Sequence, residues 1–245
     1  MEYHIGCSGY FYWGWKGVFY PEEIPPSKWF EYYSSIFDTV EINSTFYRFP
    51  KKSSVKKWYR QSPEDFVFSV KVNKQITHIK KMKNVKEELD QFYSVLSESL
   101  QEKLGAFLFQ FPPSFRYSKE NIERILENLN PYFLNVVEFR HKSWWNEEVY
   151  KIFLDKKITF CSISAPRLPE KLVQTSEDVY MRFHGRESWY RYNYSEEELQ
   201  QWINEIKDRK INRLFVYFNN DYFGYAPENA KLFKKLIKKQ DQISQ

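Results

Sequence analysis

Eight apolar runs of strand length, helical patterns between them and a period of about 30 residues per strand–helix unit predict an α/β chain closed into a single (β/α)8 barrel of the TIM type. The chain has 245 residues, close to the roughly 250 such a barrel uses, so one domain over residues 1–245 is expected. An open doubly wound sheet is the weaker alternative. No Gly-rich dinucleotide fingerprint follows the first run, where the chain reads Gly6-Cys7-Ser8-Gly9-Tyr10, so no nicotinamide or flavin cofactor is expected.

The strands are expected at Tyr3–Cys7, Thr39–Ile42, Phe66–Val72, Ala106–Phe111, Asn135–Phe139, Ile158–Ile163, Val179–Phe183 and Leu214–Phe218. Most are continuously apolar, the pattern of parallel strands covered on both faces. Val85, Leu89, Phe92 and Leu96 share one helical face, as do Ile122, Ile125, Leu126 and Leu129. Ser195 with Glu198 reads as a capping box that opens a helix burying Leu199, Trp202, Ile203 and Ile206. Pro227 is expected to begin the last helix, with Leu232, Phe233, Leu236 and Ile237 inward and its lysines solvated. After the sixth run, Ala165-Pro166-Arg167-Leu168-Pro169 leads into a poorly periodic segment, and only a weak or irregular helix is expected there.

Composition narrows the class. The hydrophobic fraction of 42% excludes a disordered chain, and no apolar window is long enough to span a membrane. With no basic-then-apolar leader at Met1–Gly9, a cytoplasmic location is expected. Cys7 and Cys161 are too far apart in sequence for a metal module and read as core. A net charge of +5 permits an anionic partner without requiring one. The 8 Trp, 19 Tyr and 22 Phe must pack a core or line a site.

In a parallel barrel, chemistry collects beyond the carboxyl ends of the strands. The polar residues there are Ser8 and Tyr10, Glu41 and Asn43, Lys71 and Asn73, Gln110, Glu138 and Arg140, Ser162 and Ser164, Arg182 and His184, and Asn219 and Asp221. Most come as pairs two apart, which on an extended strand share one side. Glu41 and Glu138 interrupt apolar runs and need partners, since an unpaired buried charge is very costly. Lys71, Arg140 and Arg182 are the available cations. The set reads either as an ion-pair network closing the barrel top or as acid–base or metal-binding carboxylates beside substrate-binding cations.

His184 precedes Gly185 and is the preferred proton-transfer residue, while His141 is expected to point away from Arg140. With no HExxH helix and no His-x-His pair, a divalent metal could be held only by scattered strand ends. From Lys71 to Lys86 the chain carries six lysines and no acid, a positive field beside the mouth or a solubilising loop. Aromatics in the neighbouring loops, including Tyr10 to Trp13, Trp15, Phe46, Tyr47, Trp144, Trp145, Trp189 and Tyr190, could stack bases or sugars or seal a lid.

The chain resembles the DUF72, or YecE-like, family. The resemblance rests on Gly6-Cys7-Ser8-Gly9-Tyr10 with Trp15-Lys16-Gly17, Val40 to Tyr47, Phe68 to Lys71 with Thr77-His78, and Gln110 to Ser114. It continues through Val137 to His141 with Ser143-Trp144, Arg182 to Gly185, and Phe218 to Asp221 with Gly224-Tyr225-Ala226. It implies a TIM barrel and transfers no catalytic residues.

On the residues themselves, the first expectation is an enzyme acting on a phosphorylated or anionic substrate, with phosphoester hydrolysis, in nucleic acid or a small molecule, as the leading reaction. Glu41, Glu138, His184 and Asp221 are the catalytic candidates; Tyr10, Asn43, Lys71, His78, Gln110, Arg140, Arg182 and Asn219 are the binding candidates. A sugar or sugar-phosphate isomerase or epimerase and a non-catalytic nucleic-acid or nucleotide binding module are the alternatives. Oligomeric state is left open. Glu41, Lys71, Glu138, Arg140, Arg182, His184 and Asn219, from five strands, are expected to share one pocket at the barrel mouth.

Overall fold

The computed structural model describes residues 1–243. Strands β1 (Glu2–Ser8), β2 (Thr39–Ile42), β3 (Val67–Lys71), β4 (Leu104–Gln110), β5 (Asn135–Glu138), β6 (Thr159–Ser164), β7 (Val179–Phe183) and β8 (Arg213–Phe218) form a closed barrel in chain order. Every neighbouring pair is parallel, including the closing pair β1 with β8. The eight strands therefore fall where the apolar runs place them, within two residues at each end. Around them lie α1 (Trp29–Ile36), the single turn α2 (Ser44–Tyr47), α3 (Lys52–Gln61), α4 (Lys86–Leu100), α5 (Lys119–Asn128), α6 (Glu147–Asp155), α7 (Glu196–Lys207) and α8 (Tyr225–Ile243). No helix among the described residues is long and apolar enough to cross a membrane.

The pleat sorts the strand residues into two populations. Outward residues such as Val40, Phe68, Phe107, Phe139 and Phe218 pack against the helices in one large core. Inward residues, among them Ala106, Leu108, Cys161, Ile163, Tyr180, Phe215 and Tyr217, fill the barrel itself. Polarity is graded along the barrel. Near the start of the strands His4 stacks on Phe215 with centroids 4.8 Å apart. Farther along, the Tyr217 hydroxyl bridges Thr39 Oγ1 at 2.6 Å and Ser69 Oγ at 2.9 Å. Beyond that belt come charges.

Local signals explain the frame. The capping box at Ser195 and Glu198 is present, and α7 buries Leu199, Trp202, Ile203 and Ile206. Helix α8 begins at Tyr225, two residues ahead of Pro227, because proline is tolerated throughout the first turn, where backbone N–H groups lack helical partners. Gly6 permits a close approach: a Cβ there would lie 2.4 Å from the Thr39 carbonyl oxygen and 2.7 Å from the Tyr33 hydroxyl. That hydroxyl accepts from Cys7 N at 2.8 Å and donates to Thr39 O at 2.9 Å, pinning α1 to β1 and β2.

The sixth unit departs from the repeat. No helix lies between β6 and β7, and the connecting segment binds to β6 through side chains instead. Thr175 Oγ1 accepts from Phe160 N at 2.8 Å and donates to Ile158 O at 2.6 Å; Ser162 Oγ accepts from Val173 N at 2.9 Å. Ser162 and Ser164 thus face outward, because the inward register on β6 belongs to Cys161 and Ile163. Neither belongs to the mouth.

Thr175→Val keeps the shape and removes both bonds, leaving the buried Phe160 N–H without its acceptor. Urea unfolding should show a loss of about 1–3 kcal/mol; an unchanged midpoint would mean that the segment is not held by this bond.

Candidate functional site

The charged layer at the top of the barrel is centred on Arg182, which is fully buried between two fully buried glutamates. Its Nη2 donates to Glu41 Oε1 at 2.7 Å and its Nη1 to Glu138 Oε2 at 2.5 Å. Glu41 accepts in addition from Ser8 Oγ at 2.7 Å and from the Tyr180 hydroxyl at 2.6 Å. The other Glu138 oxygen accepts from Arg140 Nε and lies 3.4 Å from His184 Nε2. Asn219 Nδ2 stands 3.1 Å from His184 Nδ1. Strands β2, β5, β7 and β8 thus bring Glu41, Glu138, Arg140, Arg182, His184 and Asn219 into one bonded network, as the barrel geometry demands.

Burial by itself would raise the Glu138 carboxyl, but Arg140 and Arg182, with His184 behind them, outweigh it and hold that carboxyl well below the usual range. His184 goes the other way: burial, reinforced by Arg140 and Arg182, keeps it neutral despite Glu138. Its carbonyl accepts from Tyr190 N at 2.6 Å, and the positive φ of Gly185 lets the Ser188 backbone close over it. Glu41, Glu138 and His184 are therefore shut away from solvent. Among the described residues no group of three or more His, Cys, Asp or Glu is placed to hold a metal ion. Each glutamate is already engaged by a guanidinium, so these donors do not form a metal site.

Lys71 and His78, both half-buried, flank the network. Lys71 ends β3, and its Nζ lies 4.1 Å over the Phe46 ring, against which His78 also packs edge-on at 4.9 Å. Desolvation first, and then Arg182 and Arg140, bring Lys71 down to about 7 against the pull of Glu138 and Glu41. Desolvation, Lys71 and Arg140 push His78 down to about 4. Both sit within the field of the network. The rest of the lysine-rich stretch is less positive than its sequence suggests, since Lys80 pairs with Glu88 at 2.5 Å and Lys86 with Asp90 at 3.0 Å, both acids of α4.

Beside the network opens a cleft of about 680 Å³ formed by the loops after β4, β5, β6 and β7. Arg140, His141, Lys142 and Arg167 line it without a single carboxylate; Gln110, Trp189 and Tyr190 complete its polar and flat surfaces. Arg140 stacks over Trp189 at 4.4 Å. His141 accepts from Ser143 N through Nδ1 and caps the turn Lys142–Trp144, yet it lines the same cleft as Arg140.

Three expected members lie elsewhere. The Tyr10 ring packs on Phe30 and Tyr33, between barrel and α1, because the turn at Gly9 redirects the chain away from the axis. Asn43 makes no bond to the network, and its Oδ1 is buried without a partner. Asp221 turns the loop after β8, where its carbonyl accepts from Gly224 N and burial raises its carboxyl; it lies on the side of Cys7 and Tyr12, both of which it helps keep protonated. The aromatic loops divide: Trp15 and Trp144 are buried as seals, whereas Phe11, Trp13 and Tyr47 are exposed.

The family profile described as "Protein of unknown function DUF72" matches residues 4–245. The chain belongs to the DUF72 family. A relative from Bacillus subtilis, UPF0759 protein YunF, is 30% identical, with 96% of this chain and 94% of the relative covered. The Escherichia coli UPF0759 protein YecE is 23% identical over 81% of each chain. Among solved structures, a DUF72 family protein from Thermotoga maritima superimposes with a TM-score of 0.88 at 34% identity, covering 97% of this chain and 100% of that one. Family membership thus carries the barrel and leaves the chemistry to be argued from the mouth.

Sequence reading missed Tyr180, which looked like one more core aromatic; its spacing with Arg182 and His184 on alternate positions of β7 was the available signal. It also missed Lys142 and Arg167, whose loops show no pattern.

Arg182→Met would leave two buried carboxylates without their shared cation and should cost about 3–5 kcal/mol at pH 7. The lowered Glu138 value adds stability that is complete above the unfolded carboxyl value of about 4.3 and is lost as pH falls through the folded value. Denaturant titrations from pH 7 to 3 should therefore show the wild type converging on Arg182→Met, and parallel curves would contradict the assigned linkage. Lys71 imposes the opposite kind of strain, because its folded value lies below the unfolded one of about 10.4. Lys71→Met should be more stable than wild type at pH 7, with the gap closing towards pH 10 as the unfolded lysine also loses its proton; a gap that widens would refute this.

Proposed function

We infer that the chain is an enzyme, working as a single domain, that binds a small phosphorylated or otherwise anionic substrate in the cleft at the barrel mouth and moves protons on it. The observation that carries this reading is the cleft itself, lined by Arg140, His141, Lys142 and Arg167 without a carboxylate. Its volume falls within the roughly 300–1,000 Å³ of small-molecule sites. Lys142 and Arg167 neutralise the anion, Arg140 adds a guanidinium edge held by Glu138, and Trp189 and Tyr190 offer faces for a sugar or another flat group.

The proton chemistry falls to Lys71 and His78, because both are uncharged in large part near neutrality and, unlike Glu41, Glu138 and His184, both are only half-buried. Glu138 is a poor base when two arginines hold its charge. Its role, with Glu41 and Arg182, is to fix Arg140 and the local field. Isomerisation of a sugar phosphate fits this arrangement better than hydrolysis, since the carboxylates that would activate water are sealed from solvent. A small ligand is favoured over nucleic acid, because several basic side chains outside the cleft, including Lys80, Lys86 and Arg186, are paired with acids. The buried free cysteines suit a reducing compartment, and we assign the activity to the cytoplasm.

Calorimetric titration with inorganic phosphate and with phosphorylated aldoses and ketoses should show salt-sensitive binding. Arg167→Ala or Lys142→Ala should weaken it several-fold. Turnover in deuterated water should place deuterium on carbon with the phosphate retained. Release of inorganic phosphate would establish hydrolysis instead, and absence of binding at low salt would end the reading.

A further inference from the structure

Lys71 stands apart from the two arginines of the network. Arg140 and Arg182 are each bonded to glutamate, but the Lys71 ammonium makes no ion pair or hydrogen bond among the described residues. It lies over an aromatic face at the end of β3, partly open to the mouth, with two guanidiniums in its field. The network supplies no compensating charge, since its two glutamates are matched by its two arginines. The Phe46 face and the pull of Glu138 and Glu41 favour an ammonium, but desolvation and the two guanidiniums outweigh them, which leaves a half-buried amine uncharged in part near neutrality.

We propose that Lys71 is a nucleophile that forms an imine with the carbonyl carbon of an aldehyde or ketone substrate whose anionic group is held in the cleft. The proposal rests on the functional reading above and adds to it the substrate's carbonyl and a covalent step. The lone pair of the ε-amine attacks the carbonyl carbon, forming the C–N bond while the C=O π pair moves to oxygen. A proton passes from nitrogen to that oxygen, giving a carbinolamine. Protonation of its hydroxyl and loss of water yield the iminium, so one amine, one carbonyl and one proton become one iminium and one water. The iminium acidifies the neighbouring C–H bond, and His78, which packs on the same Phe46 ring and is neutral near pH 7, shares the proton traffic.

The amine's protonation agrees with this role. A solvated lysine is neutral in roughly one part in a few thousand at pH 7; Lys71, brought down to about 7, is neutral in about half of the molecules. Part of that gain is offset because nucleophilicity falls with basicity. A net advantage of at least about tenfold over exposed lysines remains. The groups that set it are Arg182, Glu138, Arg140 and Glu41, with His78 alongside.

The test uses the intact chain and pyridoxal 5′-phosphate purely as an anionic aldehyde, with cyanoborohydride to fix any imine and peptide mass mapping to locate it. At pH 7, Lys71 should be labelled at least about tenfold faster than exposed lysines such as Lys57 and Lys235, and inorganic phosphate should slow it. Lys71→Arg should lose that fast label and still bind phosphate. Labelling of Lys71 no faster than the exposed lysines overturns the imine proposal, even if phosphate binding persists and the anionic-ligand reading stands. Fast labelling of Lys71 that phosphate does not compete, with no phosphate binding by calorimetry, keeps the nucleophile and overturns the anion cleft.

Discussion

One guanidinium governs the upper barrel. Arg182 reaches Glu41 on one side and Glu138 on the other; it is the cation bonded to Glu41 and shares Glu138 with Arg140. Glu138 then fixes Arg140, whose plane lies over Trp189 and forms one wall of the cleft. Neutral His184 is wedged among the same groups. The burial of the carboxylates and the shape of the cleft wall therefore depend on one set of bonds.

The interior is graded so that this layer can exist. Alanine, leucine and cysteine with three large aromatics fill the lower barrel, and the Tyr217 hydroxyl ties strands together halfway up. Tyr180 carries the gradient into the charged zone, with its ring among apolar residues and its hydroxyl on Glu41. Most polar groups along this gradient meet a partner, as buried polarity requires, while His4 Nδ1 and Arg182 Nε are buried without one.

The sequence revealed the barrel because parallel strands are dense apolar runs at a regular spacing, and each helix between them carries its own periodic face. Glu41, Glu138 and Arg182 stood out because charges inside such runs demand partners. Their mutual pairing follows from strand ends meeting around an axis. Tyr10 and Asp221 were misplaced because side-chain direction beyond a strand depends on how the loop turns, and Gly9 and Gly224 turn theirs in ways that spacing does not encode. Ser162 and Ser164 were misplaced for a different reason: a continuously apolar strand hides which alternate set faces inward. The cleft could not be foreseen, since Arg167 and Lys142 meet Arg140 only through irregular backbone.

Where β6 gives way to β7 without a helix, the barrel has a wall of a different kind. Pro166, Arg167 and Leu168, which border the cleft, belong to a ribbon fastened by a few hydroxyl bonds instead of to the first turn of a packed helix. Substitutions or insertions in that ribbon can reshape the cleft without repacking a helical layer. The bonds among Glu41, Glu138, Arg140 and Arg182 run through other strands, so the outline of the cleft at this margin and the charged centre can change independently of each other.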